Sequence, residues 1–269
     1  MKNIPEVCRE DEWTYLGIPY SPEGRIIGCV ASKLALQLAT ISKAPLKPQQ
    51  RLFALRTFIV PATYHQLTLG KTHLGFLRKL DNSIRRAVRK WLALPLDCPS
   101  AYVHADHKDG GLSVPSLRWV VPEMRRRRLL HLAETSPEIA RQVQEEIDIC
   151  SRRLDDHGIP IKTRDDVKKR WATLLHKSVD GASLAPSSKV PQQHRWVTDG
   201  SRFLSGADFL HSCKLRINAL PTRSRCDPMI PHPTSCLEEH PDHTPLSDRV
   251  ADPKCIWDLP VSVATSSLI

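Results

Sequence analysis

The chain has 269 residues, 41% of them hydrophobic, with a formal net charge of +10 and a pI near 9.3. This length is enough to bury a core, and the positive charge favours an anionic partner, either nucleic acid or an acidic membrane surface. No apolar run approaches the roughly 18 residues of a membrane span, and no signal peptide is recognisable, so we expect neither a membrane span nor secretion.

The N-terminal part of the sequence predicts a short hairpin followed by helices. Trp13 to Tyr20 has strand character and ends in a Ser-Pro-Glu-Gly turn sequence. Apolar residues at helical spacing then predict helices over 26–42, 47–69 and 73–92. Pro61 is expected to kink or split the second helix, because its ring clashes with the preceding turn. The third helix has the clearest apolar seam, which consists of Leu74, Leu77, Leu80, Ile84, Val88 and Trp91.

Beyond residue 95 the sequence predicts helices between irregular segments. A short extended piece is expected at 101–104. Ser116 is expected to cap a helix that runs to about Glu134, with Pro122 inside it or in its first turn. Further helices are predicted over 137–154, 164–179 and 205–219, separated by a Ser- and Pro-containing linker over 181–190.

The composition changes sharply at Cys226. From there to Ile269 the chain has seven acidic residues against two basic ones, and seven of its 22 prolines. Such a segment, with little periodicity, is typical of disorder, so we predict a disordered tail over 226–269.

Positive charge is concentrated between Lys43 and Arg128, where seventeen Lys and Arg residues stand against five acids. On the helix predicted over 73–92, cations at helical spacing form two adjacent rows opposite the apolar seam. One row is Arg78, Arg85 and Arg89, and the other is Lys79, Arg86 and Lys90. Such rows can follow a phosphate backbone, and each neutralised phosphate makes binding salt-dependent. A solvated basic surface is the alternative, although only Asp81 is available on this helix to neutralise the rows.

Two further basic segments leave their role open. Arg125 to Arg128 form a basic run that is equally compatible with a phosphate clamp, a nuclear-import signal and simple solubility. Arg216, Arg223 and Arg225 are candidates to grip phosphates, and Asn218 is a candidate to read a base edge or a 2′-hydroxyl. For this second segment, a helix end followed by a basic loop is the alternative.

Signals for metal binding or catalysis are weak. Four residues of types that bind zinc follow residue 225: Cys226, Cys236, His240 and His243. The gap between the first two is too long for the paired ligand spacing of structural zinc sites. No local signature such as GxSxG supports a nucleophile among the twelve histidines and their neighbours. The eight cysteines include no CxxC pair, which favours free thiols in a reducing compartment, cytoplasm or nucleus.

Five segments carry a family resemblance in a fixed order along the chain. They are Tyr15-Leu16-Gly17, Pro45-Leu-Lys-Pro-Gln-Gln-Arg51, Val88-Arg89-Lys90-Trp91-Leu92 with Leu94-Pro95, Asp109-Gly110-Gly111-Leu112, and Arg216-Ile217-Asn218-Ala219-Leu220-Pro221. In order and approximate spacing they resemble the primer grip, the thumb, the segment after the thumb and the linker of non-LTR retrotransposon polyproteins. The last motif is similar to the one in elements that insert into ribosomal RNA genes.

The resemblance implies a parent protein that pairs an RNA-directed DNA polymerase with an endonuclease. By this likeness Tyr15, Leu16 and Gly17 would position a primer terminus, and further nucleic-acid contacts are expected at Lys47, Gln50, Arg51 and Arg118. The palm aspartates that hold two Mg²⁺ ions in the family lie upstream of the primer grip, and neither they nor the endonuclease is present here. The chain is therefore expected to be a fragment, inactive alone and without a cofactor of its own.

We predict a mainly α-helical fold in four parts. These are a palm remnant with the hairpin over 1–25, a thumb-like three-helix bundle over 26–95, a helical linker domain over 96–225 and the tail over 226–269. The predicted function is gripping of a template–primer, so the expected partners are an RNA template, an RNA/DNA or DNA duplex and the missing palm. A co-opted helical protein–protein interaction module is the main alternative, and a hydrolase with a His/Asp pair is a third.

Overall fold

The computed structural model is mainly α-helical, as the sequence predicts. It describes residues 13–15, 18–21, 24–25, 29–70, 72–156 and 158–220. Contacts divide the chain into two units, Met1–Arg225 and Cys226–Ile269, and every described residue belongs to the first. The predicted tail and the weak zinc-ligand set therefore lie outside the described residues. None of the helices in this described part has the length and apolarity that a bilayer span requires.

A small antiparallel sheet begins the described part of the chain. It comprises β1 (Trp13–Tyr15), β2 (Ile18–Ser21) and β3 (Gly24–Arg25) in the order β1-β2-β3. Tyr15 pairs with Ile18, and Ser21 pairs with Gly24 across the predicted Ser-Pro-Glu-Gly turn. The predicted hairpin is therefore confirmed as the antiparallel pair of β2 and β3, whereas the segment predicted as one strand over 13–20 forms two strands, β1 and β2.

Helices α1 to α3 supply the first layer of the core. Helix α1 (Cys29–Lys43) buries Val30, Leu34 and Leu38, which recur every four residues along one face. The predicted second helix is divided into α2 (Pro48–Ala54), a π-helical turn (Leu55–Ile59) and α3 (Val60–Leu69). Pro61 is the second residue of α3, after Val60, so the α-helical pattern is interrupted just before the proline. The wider turn accommodates the proline ring without ending the helical run.

Helix α4 (Leu74–Leu92) is the longest element of the predicted thumb and packs against α1 and α2. Its predicted seam is confirmed, since all its members are buried except the half-buried Leu74. Ala93, in the left-handed conformation at φ 47°, ends the helix.

The segment predicted to be extended at 101–104 is instead helix α5 (Ser100–His104), so that prediction is wrong. Pro99 precedes the helix with φ −56°, a value that suits a helix start. The carbonyl groups of Tyr102 and Val103 accept hydrogen bonds from the backbone of Leu112 and Val114. Tertiary pairing thus satisfies the helix end, which local sequence patterns do not reveal.

The next three helices are α6 (Leu117–Ala133), α7 (Pro137–Leu154) and α8 (Arg164–Lys177), with a two-stranded turn of β4 (Asp155–Asp156) and β5 (Ile159–Pro160) before α8. Helix α6 packs against α4, α7 packs against α6, and α8 packs against α5 and α6. The bounds predicted for α7 are confirmed, and α8 begins at the capping box formed by Thr163 and Asp166. Pro122 lies inside α6 rather than in its first turn.

Three helices end the described chain, and the last two of them pack against α2. They are α9 (Leu184–Ser187), α10 (Trp196–Phe203) and α11 (Gly206–Arg216). The predicted linker over 181–190 is partly helical, and Leu184 is buried within it. Helix α10 was not predicted, because its short apolar pattern follows a turn-rich segment. Helix α11 lies within the predicted 205–219 and starts at Ser205, whose hydroxyl accepts the Asp208 N–H.

One continuous hydrophobic core runs from Val30 on α1 to Ile217 after α11. It includes residues on both sides of position 95, where we place the boundary between thumb and linker. The two predicted domains therefore share buried apolar contacts. The four-part division itself stays a prediction.

Candidate nucleic-acid interface

The two cationic rows of α4 do not behave alike in the structure. Arg78, Lys79, Arg86 and Lys90 are exposed, opposite the buried seam. Among the residues that the structure describes, none of these four forms an ion pair with a carboxylate. Four uncompensated charges therefore stand along one side of a rigid helix, as the sequence predicts.

Arg85 and Arg89 of the first row turn partly inward. The Arg89 guanidinium donates to the carbonyl oxygen of Cys98 at 2.7 Å. That of Arg85 contacts the Asn82 side chain and lies 3.5 Å from Nε2 of His104. Burial lowers the pKa of Arg85. These two arginines hold α4 against the segment that contains α5, so they are less available to a ligand than the helical spacing suggests.

Asp81, the only acid on α4, is buried and forms no ion pair with the described cations of the rows. Its carboxylate accepts hydrogen bonds from the Ser116 hydroxyl at 2.8 Å and from the backbone N–H groups of Leu117 at 2.7 Å and Arg118 at 3.1 Å. Asp81 thus caps the first turn of α6 from another helix. Ser116 occupies the N-cap position, but its side chain accepts no capping hydrogen bond from the helix. The predicted capping role of Ser116 is replaced by that of Asp81.

His104 lies between the cationic helix and α8. Its Nδ1 is 2.9 Å from the carbonyl oxygen of Val114, and its ring stacks on Trp171 at a centroid distance of 4.8 Å. Burial lowers its pKa. The imidazole is therefore neutral, with Nδ1–H as donor and Nε2 left to face the Arg85 guanidinium.

Arg118 extends the cationic surface onto α6. Its guanidinium lies 3.9 Å above the Trp119 ring, and burial, followed by the charge of Arg78, lowers its pKa. One terminal nitrogen is buried without a hydrogen-bond partner in the described structure. The stacking fixes the Arg118 side chain beside the exposed row of α4, where the sequence places a nucleic-acid contact.

The predicted contacts at the start of α2 are exposed only in part. Lys47 and Gln50 are exposed, and the Gln50 side chain accepts the Lys47 backbone N–H at 2.9 Å, which caps the helix. Arg51 is half-buried and donates to the carbonyl oxygen of Ala44 at 3.0 Å. Lys47 and Gln50 thus remain available to a ligand, whereas Arg51 braces the turn between α1 and α2.

The four-arginine run on α6 is divided by the helix into two pairs. Arg125 donates to the Gly70 carbonyl oxygen and to the Glu146 carboxylate, and Arg126 donates to the Ser151 hydroxyl. Arg127 and Arg128 are exposed instead. They line a cavity of about 400 Å³, together with His65, Thr68, Leu69, Met124 and His131. Half of the run therefore stabilises the packing of α6 and half faces a groove.

The motif at the end of α11 places its arginine inside the molecule. Arg216 is half-buried, donates to Nδ1 of His194 at 2.8 Å and lies 5.1 Å from the Trp196 ring centroid. Burial lowers the pKa of Arg216. Asn218 is exposed, with φ 50°. The geometry assigns Arg216 to packing, while Asn218 is free to contact a ligand; Arg223 and Arg225 lie outside the described residues.

Tyr15 of the primer-grip-like motif forms part of β1, where it pairs with Ile18. Leu16 and Gly17 lie outside the described residues. Of this motif the structure therefore describes only Tyr15, the last residue of β1.

Two histidine–serine contacts do not form a catalytic triad. Nδ1 of His107 lies 2.8 Å from the Asp106 carboxylate and 3.3 Å from the Ser113 hydroxyl, so both partners meet the same ring nitrogen. A triad needs them on opposite nitrogens. Nδ1 of His194 accepts from Arg216, so its Nε2–H donates to Ser187 and cannot take the proton of that hydroxyl. These two contacts do not support the hydrolase alternative.

Metal ligands do not cluster in the described part of the chain: no group of three or more His, Cys, Asp or Glu side chains is arranged to hold an ion. What the described residues present is a cationic surface on α4 and α6. Sequence reasoning missed the role of Asp81 and the groove at Arg127 and Arg128, because both depend on which helices pack together.

Several known proteins that resemble the chain come from one class of mobile element. No protein-family model matches it. It is 46% identical over 226 residues to the retrovirus-related Pol polyprotein from type-2 retrotransposable element R2DM of Drosophila melanogaster, covering 82% of this chain and 21% of that protein. Pol polyproteins from type-1 retrotransposable element R2 are 34% identical in Nasonia vitripennis, over 83% of this chain and 21% of that protein, and in Bradysia coprophila, over 84% and 27%.

The chain thus spans about a fifth to a quarter of the length of these curated relatives. The matched part covers most of the sequence, in agreement with the order of motifs from the primer-grip-like strand to the linker motif. The chain is therefore a homologue of the Pol polyproteins of R2 retrotransposable elements, and corresponds to a segment of a non-LTR retrotransposon polyprotein.

Proposed function

We propose that this chain binds a template–primer duplex through the exposed cations of α4, as the thumb of a retrotransposon RNA-directed DNA polymerase. The observation that carries the proposal is a set of four exposed cations that form no ion pair within the described part of the chain: Arg78, Lys79, Arg86 and Lys90. Burial of Asp81 strengthens it, because the one acid of the helix is used to cap α6. Phosphates are the partner that such a row fits.

The neighbouring exposed polar side chains extend the same proposal. Arg118 is held beside the row by Trp119. Lys47 and Gln50 are exposed at the start of α2, and Asn218 is exposed after the end of α11. In the parent polyprotein, the primer-grip-like motif would position the primer terminus. The parent's polymerase would supply the Mg²⁺-dependent chemistry, and we assign no polymerisation to the chain alone.

Filter binding of an RNA/DNA duplex at 50 and 200 mM salt tests the proposal. Four phosphate contacts predict a fall in affinity of about a hundredfold between the two concentrations. The quadruple variant Arg78→Ala/Lys79→Ala/Arg86→Ala/Lys90→Ala should bind weakly and reduce the slope of log affinity against log salt by about 3 to 4.

A control variant with the same change in net charge is Arg141→Ala/Arg152→Ala/Lys169→Ala/Lys177→Ala, made at exposed cations of α7 and α8. It should retain most of the affinity and of the salt slope. Equal losses in both variants would show that total charge, not the α4 row, determines binding. An affinity that hardly changes with salt in the unmodified chain would favour the alternative, a helical protein–protein interaction module.

A further inference from the structure

An exposed pair of aromatic rings lies where α2 meets the π-helical turn. The rings of Phe53 and Phe58 meet edge to face, with centroids 6.0 Å apart and planes at 79°. Phe53 is 50% exposed and Phe58 is 61% exposed. In a regular α-helix, residues five apart point in directions about 140° apart. The π turn has i→i+5 hydrogen bonds, which bring residues five apart onto the same side of the helix. This turn therefore places the Phe53 and Phe58 rings together.

The segment of sequence that contains the pair has no acidic residue. No Asp or Glu occurs from Arg25 to Leu80, whereas nine Lys and Arg residues do. Gln50 is exposed one turn before Phe53 on the same side of α2, and exposed Lys47 precedes that helix. Polar and cationic groups therefore flank the rings, a composition that suits an anionic strand with exposed bases better than an apolar protein surface.

We propose that Phe53 and Phe58 form a stacking platform for an unpaired nucleobase of single-stranded nucleic acid. The strand's phosphates would lie along Lys47 and the cations around it, and a base would stack on the outer face of a phenylalanine ring. Aromatic rings next to a cationic path are the usual means of holding single strands, because every base has a π face. The inference rests on the proposed nucleic-acid function and adds a single-stranded site to the duplex site of α4.

The test measures binding of a single-stranded oligonucleotide to the unmodified chain and to Phe53→Leu/Phe58→Leu. Leucine keeps apolar bulk and removes the π face, so affinity should fall about five- to a hundredfold. An abasic oligonucleotide of the same length should bind the two proteins equally. The fluorescence of a 2-aminopurine base in the strand should be quenched by the unmodified chain and less by the variant.

The matched control is Phe203→Leu, which replaces an 81% exposed phenylalanine on α10 and should leave all three measurements unchanged. Unaltered single-strand affinity in the double variant, or equal losses for the abasic strand, would overturn the platform. So would a change from dimer to monomer in sedimentation with binding intact, since the pair would then serve a contact between copies of the chain.

Measuring the α4 quadruple variant beside the phenylalanine variant distinguishes failure of the stacking platform from failure of the duplex site. If the α4 variant loses duplex binding while the phenylalanine variant keeps single-strand binding, the platform fails and duplex gripping stands. If only the phenylalanine variant loses binding, the platform stands and the α4 proposal fails. Urea unfolding of each variant confirms that the comparison is made between folded proteins.

Discussion

The carboxylate of Asp81, in the middle of α4, accepts the backbone N–H of Leu117, the first residue of α6, at 2.7 Å. The Ser116 hydroxyl and the Arg118 N–H complete the ring of donors around it. Because the first N–H groups of a helix have no partner within the helix, this buried acid satisfies them from a neighbouring element. The cationic helix is thereby fixed to α6 by its only negative charge.

Replacing this carboxylate by an amide should destabilise the chain without improving its affinity for nucleic acid. In Asp81→Asn, an amide NH2 group replaces one acceptor oxygen and faces the N–H and O–H donors that surround the side chain. The free energy of unfolding should therefore fall by about 3 kcal/mol. Urea unfolding should show a lower midpoint at an unchanged slope. Glu145→Gln, at an exposed site of α7, makes the same change of charge and should have little effect. A gain in duplex affinity at unchanged stability would instead show that Asp81 neutralises the row.

Neighbouring cations of α4 should have separable effects. Arg89→Met removes the donor to the Cys98 carbonyl oxygen and should lower the free energy of unfolding by about 1–2 kcal/mol. Lys90→Met, at an exposed site, should change stability by less than about 0.5 kcal/mol but reduce the salt slope of binding by about 0.9. Unfolding curves and filter binding of the two variants distinguish these roles, and identical behaviour would contradict the division into inward and outward cations.

Two glycines should respond oppositely to the same substitution. A Cβ at Gly111 would lie 2.2 Å from the carbonyl oxygen of Ala105, so Gly111→Ala should destabilise by about 2 kcal/mol or more. A Cβ at Gly75, on the exposed side of α4, would meet nothing within 4 Å. Gly75→Ala should therefore stabilise by about 0.5–1 kcal/mol, since alanine favours the helix. Thermal unfolding measures both, and a neutral Gly111→Ala would contradict the close backbone approach.

Stability should fall as the pH is lowered from about 6.5 to about 4. Burial, and then the adjacent Arg216 guanidinium, lower the pKa of His194 from 6.5 to about 4. In this interval the unfolded chain binds a proton that the folded chain excludes, so the free energy of unfolding decreases by up to about 1.4 kcal/mol per pH unit. Buried His104 acts in the same direction.

The variant His194→Gln tests this assignment, because its amide oxygen can accept from Arg216 but does not titrate. Urea unfolding between pH 4 and pH 7 should show a shallower dependence than in the unmodified chain. His211→Gln, at an exposed position of α11, is the control and should leave the dependence unchanged. A slope that is the same in all three proteins would remove His194 as a cause.

Sequence patterns predicted the long elements well. The apolar seam of α4 is buried as expected, because a 3.6-residue period over a long helix places its apolar residues on one face, which must pack against the core. The capping box at Thr163 likewise marks the start of α8, since its signal is local. The prediction at 101–104 failed because that short helix pairs with the backbone of Leu112 and Val114. Patterns within the segment itself do not reveal this pairing.

Sequence by itself determined the helical class, the amphipathic pattern of α4, the concentration of positive charge and the likeness to retrotransposon polyproteins. These follow from the period and chemistry of successive residues. Only the tertiary structure decided which cations are free. Arg78 and Arg89 share one predicted row, yet one is exposed and the other donates to a backbone carbonyl of another segment. Helical spacing sets the direction in which a side chain leaves its helix. The partners of that side chain depend on which other segments pack against the helix.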